Sequence, residues 1–154
     1  MKHLTINSIV KFVLLVITAG LINTGLVYAE ERLAVTASIA NMRSGPGTKY
    51  EVLWQVEQYH PFIIVEKKGN WFKIKDFEND IAWIHKSLLG KINCVIAIKD
   101  KCNFRSKPDA SSKRYIIYTI EKGVPFKVLG KKGNWLKVEH ADGDVGWIHK
   151  TLVW

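Results

Sequence analysis

The chemically expressive side chains of this 154-residue protein are its six tryptophans, five histidines and 23 lysines and arginines, and they are not scattered. Trp71 and Trp135 each follow Lys-Lys-Gly-Asn, and Trp83-Ile84-His85-Lys86 returns as Trp147-Ile148-His149-Lys150. Indole rings beside cations suit stacking and ionic capture of a ligand rather than the making of bonds. Lys67, Lys68 and Lys86 accompany the first aromatic set, and Lys131, Lys132 and Lys150 the second. Together they form an electrostatic fringe, although any one lysine equally serves as a solvated surface residue.

Catalytic and metal chemistry find no foothold. Gly45-Pro46-Gly47 lacks the following helix that a phosphate loop or nucleophile elbow requires. His85 and His149 have no second histidine or carboxylate at metal-ligand spacing. Asp142-Gly143-Asp144 lacks the twelve-residue calcium loop and reads as a turn. His60 and His140 have no counterpart and are expected in solvent. No catalytic residue, cofactor or metal is therefore assigned. Cys94 and Cys102 would face each other across a hairpin folded about Ile98, which fits a disulfide in an oxidising compartment; free thiols and an intermolecular bridge stay open.

These residues need a scaffold, and the chain supplies it twice. From Glu57 to Leu88, 15 of 32 positions recur 64 residues later; upstream, Asn41, Arg43, Ser44 and Pro46 match Asn103, Arg105, Ser106 and Pro108 at a spacing of 62. The second copy has gained two residues, placed near Ser111 and Ser112, where an insertion marks an exposed loop. Two domains follow, 30–90 and 91–154, joined through a short connector at Gly90 to Asn93 as a semi-rigid tandem.

Each copy reads as short strands. Val35 to Ile39, Phe62 to Val65, Trp71 to Lys75 and Ile81 to Ile84 are β-branched or aromatic runs divided by Gly, Pro, Asn and Asp. Gly69-Asn70 and Gly133-Asn134 mark tight hairpins. The class is all-β, with one small barrel per copy. Strand alternation turns Phe72, Ile74, Leu136 and Val138 inward, and Trp71, Lys73, Trp135 and Lys137 outward. In the last strand Ile84 and Ile148 point in, so Trp83 with His85, and Trp147 with His149, point out. Two roles are open for these rings: anchors for a ligand, or caps over the barrel and packing between the copies. Trp54 and Trp154 are assigned to packing.

The first 29 residues read as an address: Lys2 and Lys11, an apolar run from Phe12 to Val27, and small residues before cleavage after Ala29. The run is shorter than the roughly 20 residues of a spanning helix, so no stable membrane insertion is expected after cleavage. Removal costs two lysines and no acid, lowering the net charge from +9 to +7. The expected location is secreted or periplasmic, where nucleic acid is not a partner.

Asn41-Met42-Arg43-Ser44-Gly45-Pro46-Gly47, Gly69-Asn70-Trp71-Phe72-Lys73-Ile74 and Trp83-Ile84-His85-Lys86-Ser87-Leu88 resemble the bacterial SH3 (Src-homology-type) domain, with the pattern repeated through Trp154. Lys107 and Asp109 depart from it in place of Gly45 and Gly47, which bears on that loop's shape. The resemblance implies a five-to-six-stranded barrel and a secreted, wall-associated or ligand-binding module. By position it also implies a peptide groove at Trp71, Trp83, His85 and Leu88, and at Trp135, Trp147, His149 and Leu152. The acidic, tyrosine-bearing segment of eukaryotic relatives is absent, so a polyproline target is not implied.

A leader and two barrels leave no segment for a catalytic domain. The sequence points to a noncatalytic envelope module that binds peptidoglycan peptide or another anionic wall polymer. The alternative is a periplasmic scaffold that recognises an envelope protein.

Overall fold

The computed structural model describes residues 30–154; the leader predicted over 1–29 lies outside them. The first copy comprises β1 (Arg32–Val35), β2 (Ile39–Arg43), β3 (Val52–Glu57), β4 (Pro61–Lys68), β5 (Trp71–Lys75), β6 (Ile81–His85) and β7 (Leu89–Gly90). The second comprises β8 (Cys94–Ile96), β9 (Cys102–Arg105), β10 (Ile116–Ile120), β11 (Pro125–Lys132), β12 (Trp135–Glu139) and β13 (Val145–His149). Each copy forms one sheet, in the orders β3-β2-β6-β5-β4-β1-β7 and β10-β9-β13-β12-β11-β8, with every pairing antiparallel. The protein is two tandem SH3-like β domains, and its helical content among the described residues is limited to single 3₁₀ turns.

Hairpin chemistry sets the register. Gly69 and Gly133 take φ of +60° and +58° at the first position of two-residue turns, where Gly is the residue of a type II′ turn. The asparagines that follow stay at negative φ, so their tolerance of the left-handed region is not used. Instead the carbonyls of Asn70 and Asn134 accept the N–H groups of Lys86 and Lys150 at 2.8 and 2.9 Å, tying each hairpin to the 3₁₀ turn that follows the last strand.

The run from Val35 to Ile39 is not a strand. It is a corner at Thr36 to Ser38, because β1 pairs with β4 and β7 while β2 pairs with β3 and β6. The Thr36 N–H and hydroxyl both reach the Leu88 carbonyl, at 2.9 and 3.2 Å.

Each sheet coils round its own core. In the first copy this is Val35, Ala40, Met42, Val56, Phe62, Ile74, Ala82 and Ile84; in the second, Cys102, Phe104, Ile120, Phe126, Val138 and Ile148. Alternation along β5 and β12 holds, with Ile74 and Val138 fully buried and Phe72 and Leu136 packed against the cores at half depth. Burying a residue such as Ile74 contributes about 1.5–3 kcal/mol.

The expected Cys94–Cys102 disulfide does not form. Both thiols are free and buried. Residues 97–101 do not fold the two segments into a hairpin: β8 pairs with β11, β9 pairs with β10 and β13, and the cysteines stand on opposite sides of the sheet order. Cys102 Sγ donates to the Lys99 carbonyl at 2.9 Å, and burial pushes the Cys94 thiol up to about 12, so it is inert as a nucleophile.

Contacts also cross between the copies. Lys122 pairs with Glu78, the Arg32 guanidinium lies 3.8 Å over the Trp154 ring, and Glu57 approaches His140 at 4.0 Å. The connector is held at both ends, with Gly90 paired to Ala34 and the Asn93 carbonyl accepting from Val128.

The two cores conserve volume by exchange. Where the first copy has Met42 and Ala82, the second has Phe104 and Gly146. A Cβ at Gly146 would lie 2.6 Å from the Phe104 ring and 2.9 Å from the Arg105 carbonyl. Gly146→Ala should therefore destabilise the second domain by about 2 kcal/mol, and Phe104→Met in the same chain should recover the part of the loss that the ring contact causes. Urea unfolding of the two variants checks this; additive losses would refute the coupling.

Candidate functional site

On the outer face of each domain the sheet and the 3₁₀ turn after its last strand form a groove. The first, about 460 Å³, is lined by Ile39, Asn41, Arg43, Gln55, Trp71, His85 and Leu88, with Thr48 closing one side. The second, about 280 Å³, is lined by Asn103, Arg105, Ala110, Trp135, His149, Thr151 and Leu152. Asn, Arg, Trp, His and Leu recur at matching positions.

The Trp–His wall follows from register. Trp71 stands opposite His85, and Trp135 opposite His149, across neighbouring strands. Their rings meet edge to face at 5.3 and 5.1 Å, with interplanar angles of 80° in both copies. Each imidazole is also pinned from behind. His85 Nδ1 lies 2.7 Å from Ser87 Oγ and accepts the Ser87 N–H, and His149 Nδ1 makes the equivalent contacts to Thr151 at 2.8 Å. With Nδ1 as acceptor, the ring hydrogen sits on Nε2. That cap orders the turns Lys86–Leu88 and Lys150–Leu152, which bring Leu88 and Leu152 to the groove and onto the core.

Six of the eight residues expected to contact ligand are thus gathered: Trp71, His85, Leu88, Trp135, His149 and Leu152. Trp83 and Trp147 are not. Both lie half-buried on the outward face, opposite Arg43 and Arg105 in the strand register, but neither lines a groove. Lys73 lies 6.0 Å over the Trp83 ring. The lysines do not line the grooves: Lys67, Lys68, Lys86, Lys131, Lys132 and Lys150 are all exposed, and Lys67 pairs with Glu31 at 2.6 Å. Trp54 packs against the first core, as expected of it.

Arg43 and Arg105 are residues that sequence reasoning missed at the site. Arg43 Nη1 donates to the carbonyls of Thr48 and Tyr50, at 3.1 and 2.8 Å; Arg105 Nη1 donates to those of Asp109 and Ser112, both at 2.9 Å. The arginine is a hook that holds the loop forming one side of the groove. The signal was present, because Asn41-x-Arg43 and Asn103-x-Arg105 repeat with period-two spacing on one strand face.

The hook also explains the departure at Lys107. A Cβ at Gly45 would lie 2.4 Å from the Tyr50 ring. Ser112 takes the place of Tyr50 on the second hook, which removes the ring and admits Lys107. The two additional residues fall at Lys113 and Arg114, since Ser106 N–H reaches Tyr115 as Ser44 N–H reaches Glu51.

A larger hollow lies elsewhere. It measures about 660 Å³ and is bounded by Trp54, Glu57, His60, Asp76, Phe77 and Glu78, among others. Its acids already have partners: Asp76 Oδ1 accepts the N–H groups of Glu78 and Asp80 at 2.8 and 2.9 Å, and Glu78 holds Lys122. Burial raises the Asp76 pKa. His60, expected in solvent, is only 7% exposed, stacks on Phe62 at 4.8 Å and leaves Nε2 without a partner. His140 is half-buried and bonds Asp142 at 2.9 Å. Asp142-Gly143-Asp144 is a turn, with the Asp144 N–H donating to Asp142 Oδ1 and Gly143 at φ +98°. Among the described residues, no cluster of three His, Cys, Asp or Glu side chains is placed to hold a metal ion.

Two small coiled sheets, each bearing one aromatic groove beside a hooked loop, define a tandem non-helical domain protein. The chain belongs to the bacterial SH3 domain family, whose model matches residues 36–91 and 99–154. It is 22% identical over 136 residues to a putative N-acetylmuramoyl-L-alanine amidase, YrvJ, of Bacillus subtilis, covering 81% of this chain and 26% of that protein. It is 39% identical over 54 residues to the probable cell wall amidase LytH of Staphylococcus epidermidis, covering 34% of this chain and 18% of that one. The chain thus spans about a quarter or less of the curated relatives it matches. Among solved structures it is similar to an NlpC/P60 family protein from Bacillus cereus, at 13% identity and TM-score 0.38, over 80% of this chain and 56% of that one. It is also similar to NlpC2 from Trichomonas vaginalis, at 12% identity and TM-score 0.35, over 82% and 49%.

Burial holds the His60 imidazole down to about 4, against an ordinary 6.5. The folded state therefore excludes a proton that the unfolded chain takes up below pH 6.5. His60 adds stability above that pH and loses it as pH falls toward 4, by about 3 kcal/mol over the window. His60→Phe should flatten this part of the profile. Urea midpoints of both proteins between pH 7 and 4.5 read it out, and parallel profiles would refute the assignment.

Proposed function

We propose that this protein is a noncatalytic envelope module that binds peptidoglycan peptide or another anionic wall polymer through its two aromatic grooves. One observation carries the reading: the groove is built twice from equivalent residues, down to the edge-to-face Trp–His pair and the Nδ1-capped turn. Two domains could share a core pattern merely to fold. The His caps and Arg hooks serve the fold in part, but the Trp ring and the Asn that repeat beside them on the half-open face have no such role, and solvent-facing positions are otherwise free to drift.

Relatives named as an N-acetylmuramoyl-L-alanine amidase and a cell wall amidase support an extracytoplasmic, wall-associated role, as do the predicted leader and the net charge of +7 remaining after its removal. Two weak sites on one held connector gain apparent affinity when the ligand repeats, because the second engagement is intramolecular.

The test is co-sedimentation of the leaderless protein with purified sacculi. Trp71→Ala/Trp135→Ala should weaken binding by at least about tenfold, with folding verified by circular dichroism. Unchanged sedimentation would refute the grooves as the binding surface. Capture of a stoichiometric envelope protein, with no sacculus binding, would instead establish the scaffold alternative.

A further inference from the structure

We propose that Arg43 and Arg105 make each groove a carboxylate receptor, so that its ligand is an extended peptide carrying a carboxylate against the guanidinium. The inference rests on the grooves being the binding surface and names the group they read.

A guanidinium has five N–H donors. In both copies the loop carbonyls engage only Nη1, and among the described residues Nε and Nη2 have no partner. Those nitrogens are not sealed away: among the described residues, the one fully buried side-chain nitrogen or oxygen without a partner is His60 Nε2. Arg105 is only 7% exposed yet lines its groove. The unpartnered Nε–Nη2 edge is the planar fork that accepts a carboxylate through two parallel hydrogen bonds.

A carboxylate in contact is missing as well, although the Arg105 charge reaches Asp109 on the loop that it hooks. Among the described residues neither arginine is within 4.0 Å of a carboxylate, and no Asp or Glu lines either groove. A cation this far from water without a counter-ion is costly unless something restores the balance. Loop carbonyls and the Trp135 ring, 5.8 Å from the Arg105 guanidinium, do so in part. A ligand carboxylate would complete it. Acidic residues gather instead around the other hollow, at Glu57, Asp76, Glu78 and Asp80.

A second donor stands beside the fork. Asn41 lies two residues before Arg43 on the same strand face, and its Oδ1 accepts from Gln55 Nε2 at 2.7 Å, which leaves the Asn41 amide hydrogens available in the groove. One planar fork with one amide, and no lining lysine, suits a carboxylate; a phosphate polymer is better met by several flexible cations. The Trp–His wall and Leu88 or Leu152 would then hold the apolar remainder of the peptide.

The probe is N-acetyl-trialanine with a free C-terminal carboxylate, against the same peptide as its C-terminal amide. Both are titrated at pH 7 into the ¹⁵N-labelled leaderless protein while the arginine Nε–H and tryptophan Nε1–H signals are followed. The acid should shift the Arg43 and Arg105 signals and bind roughly tenfold more tightly than the amide. Arg43→Lys/Arg105→Lys, which keeps charge and removes the fork, should abolish the preference with spectral dispersion retained. Equal titration by acid and amide, tryptophan shifts without arginine shifts, or no shift with either peptide would overturn the proposal. Sacculus binding that survives such a result leaves the wall-binding reading standing. Carboxylate preference without sacculus binding would do the reverse.

Discussion

A sheet that coils round six to eight side chains has no spare interior, and this constraint fixes everything outside it. Once Ile74 and Ile84 are committed to the first core, the pleat sends Trp71 and His85 to the other face, directly across from one another. A one-residue slip would put a lysine, Lys73 or Lys75, where Ile74 belongs and turn the indole inward. The type II′ turns at Gly69 and Gly133 hold that register, and the 3₁₀ turn locked to the hairpin through Asn70 or Asn134 carries it to Leu88 or Leu152. The groove is therefore the outside of the core, positioned by the same few residues.

Much of this was legible from residue types and spacing. Strict repetition located both copies, Gly-Asn located the hairpins, and period two placed the Trp and His rings outward. Other features depended on contacts far apart in the chain. Val35 to Ile39 has strand composition but must turn, because its ends pair with different strands. Trp83 and Trp147 face outward yet miss the grooves, since outward is a half-space and a groove is only part of it. Arg43 and Arg105 served as markers of the repeat, and their role as hooks needed the loop carbonyls to be seen.

The cysteines and His60 show where local reasoning misleads. Seven residues between Cys94 and Cys102 are enough for a hairpin, but β8 finds its partner in β11, more than 25 residues further on. Polarity predicted a wet His60, whereas the adjoining Phe62 takes it into contact with the core, where it is held neutral. In each case a tertiary partner outweighed a sequence neighbour.

Tandem copies carry a hazard of their own: a strand from one half can enter the other while the chain folds. Pairing of β9 with β6 would drive Phe104 onto the Ala82 methyl, and pairing of β2 with β13 would set Met42 over Gly146 and leave a void. Reciprocal replacement in the two cores thus acts as a lock and key between siblings. It lets two similar grooves persist side by side while penalising any exchange of the interiors beneath them.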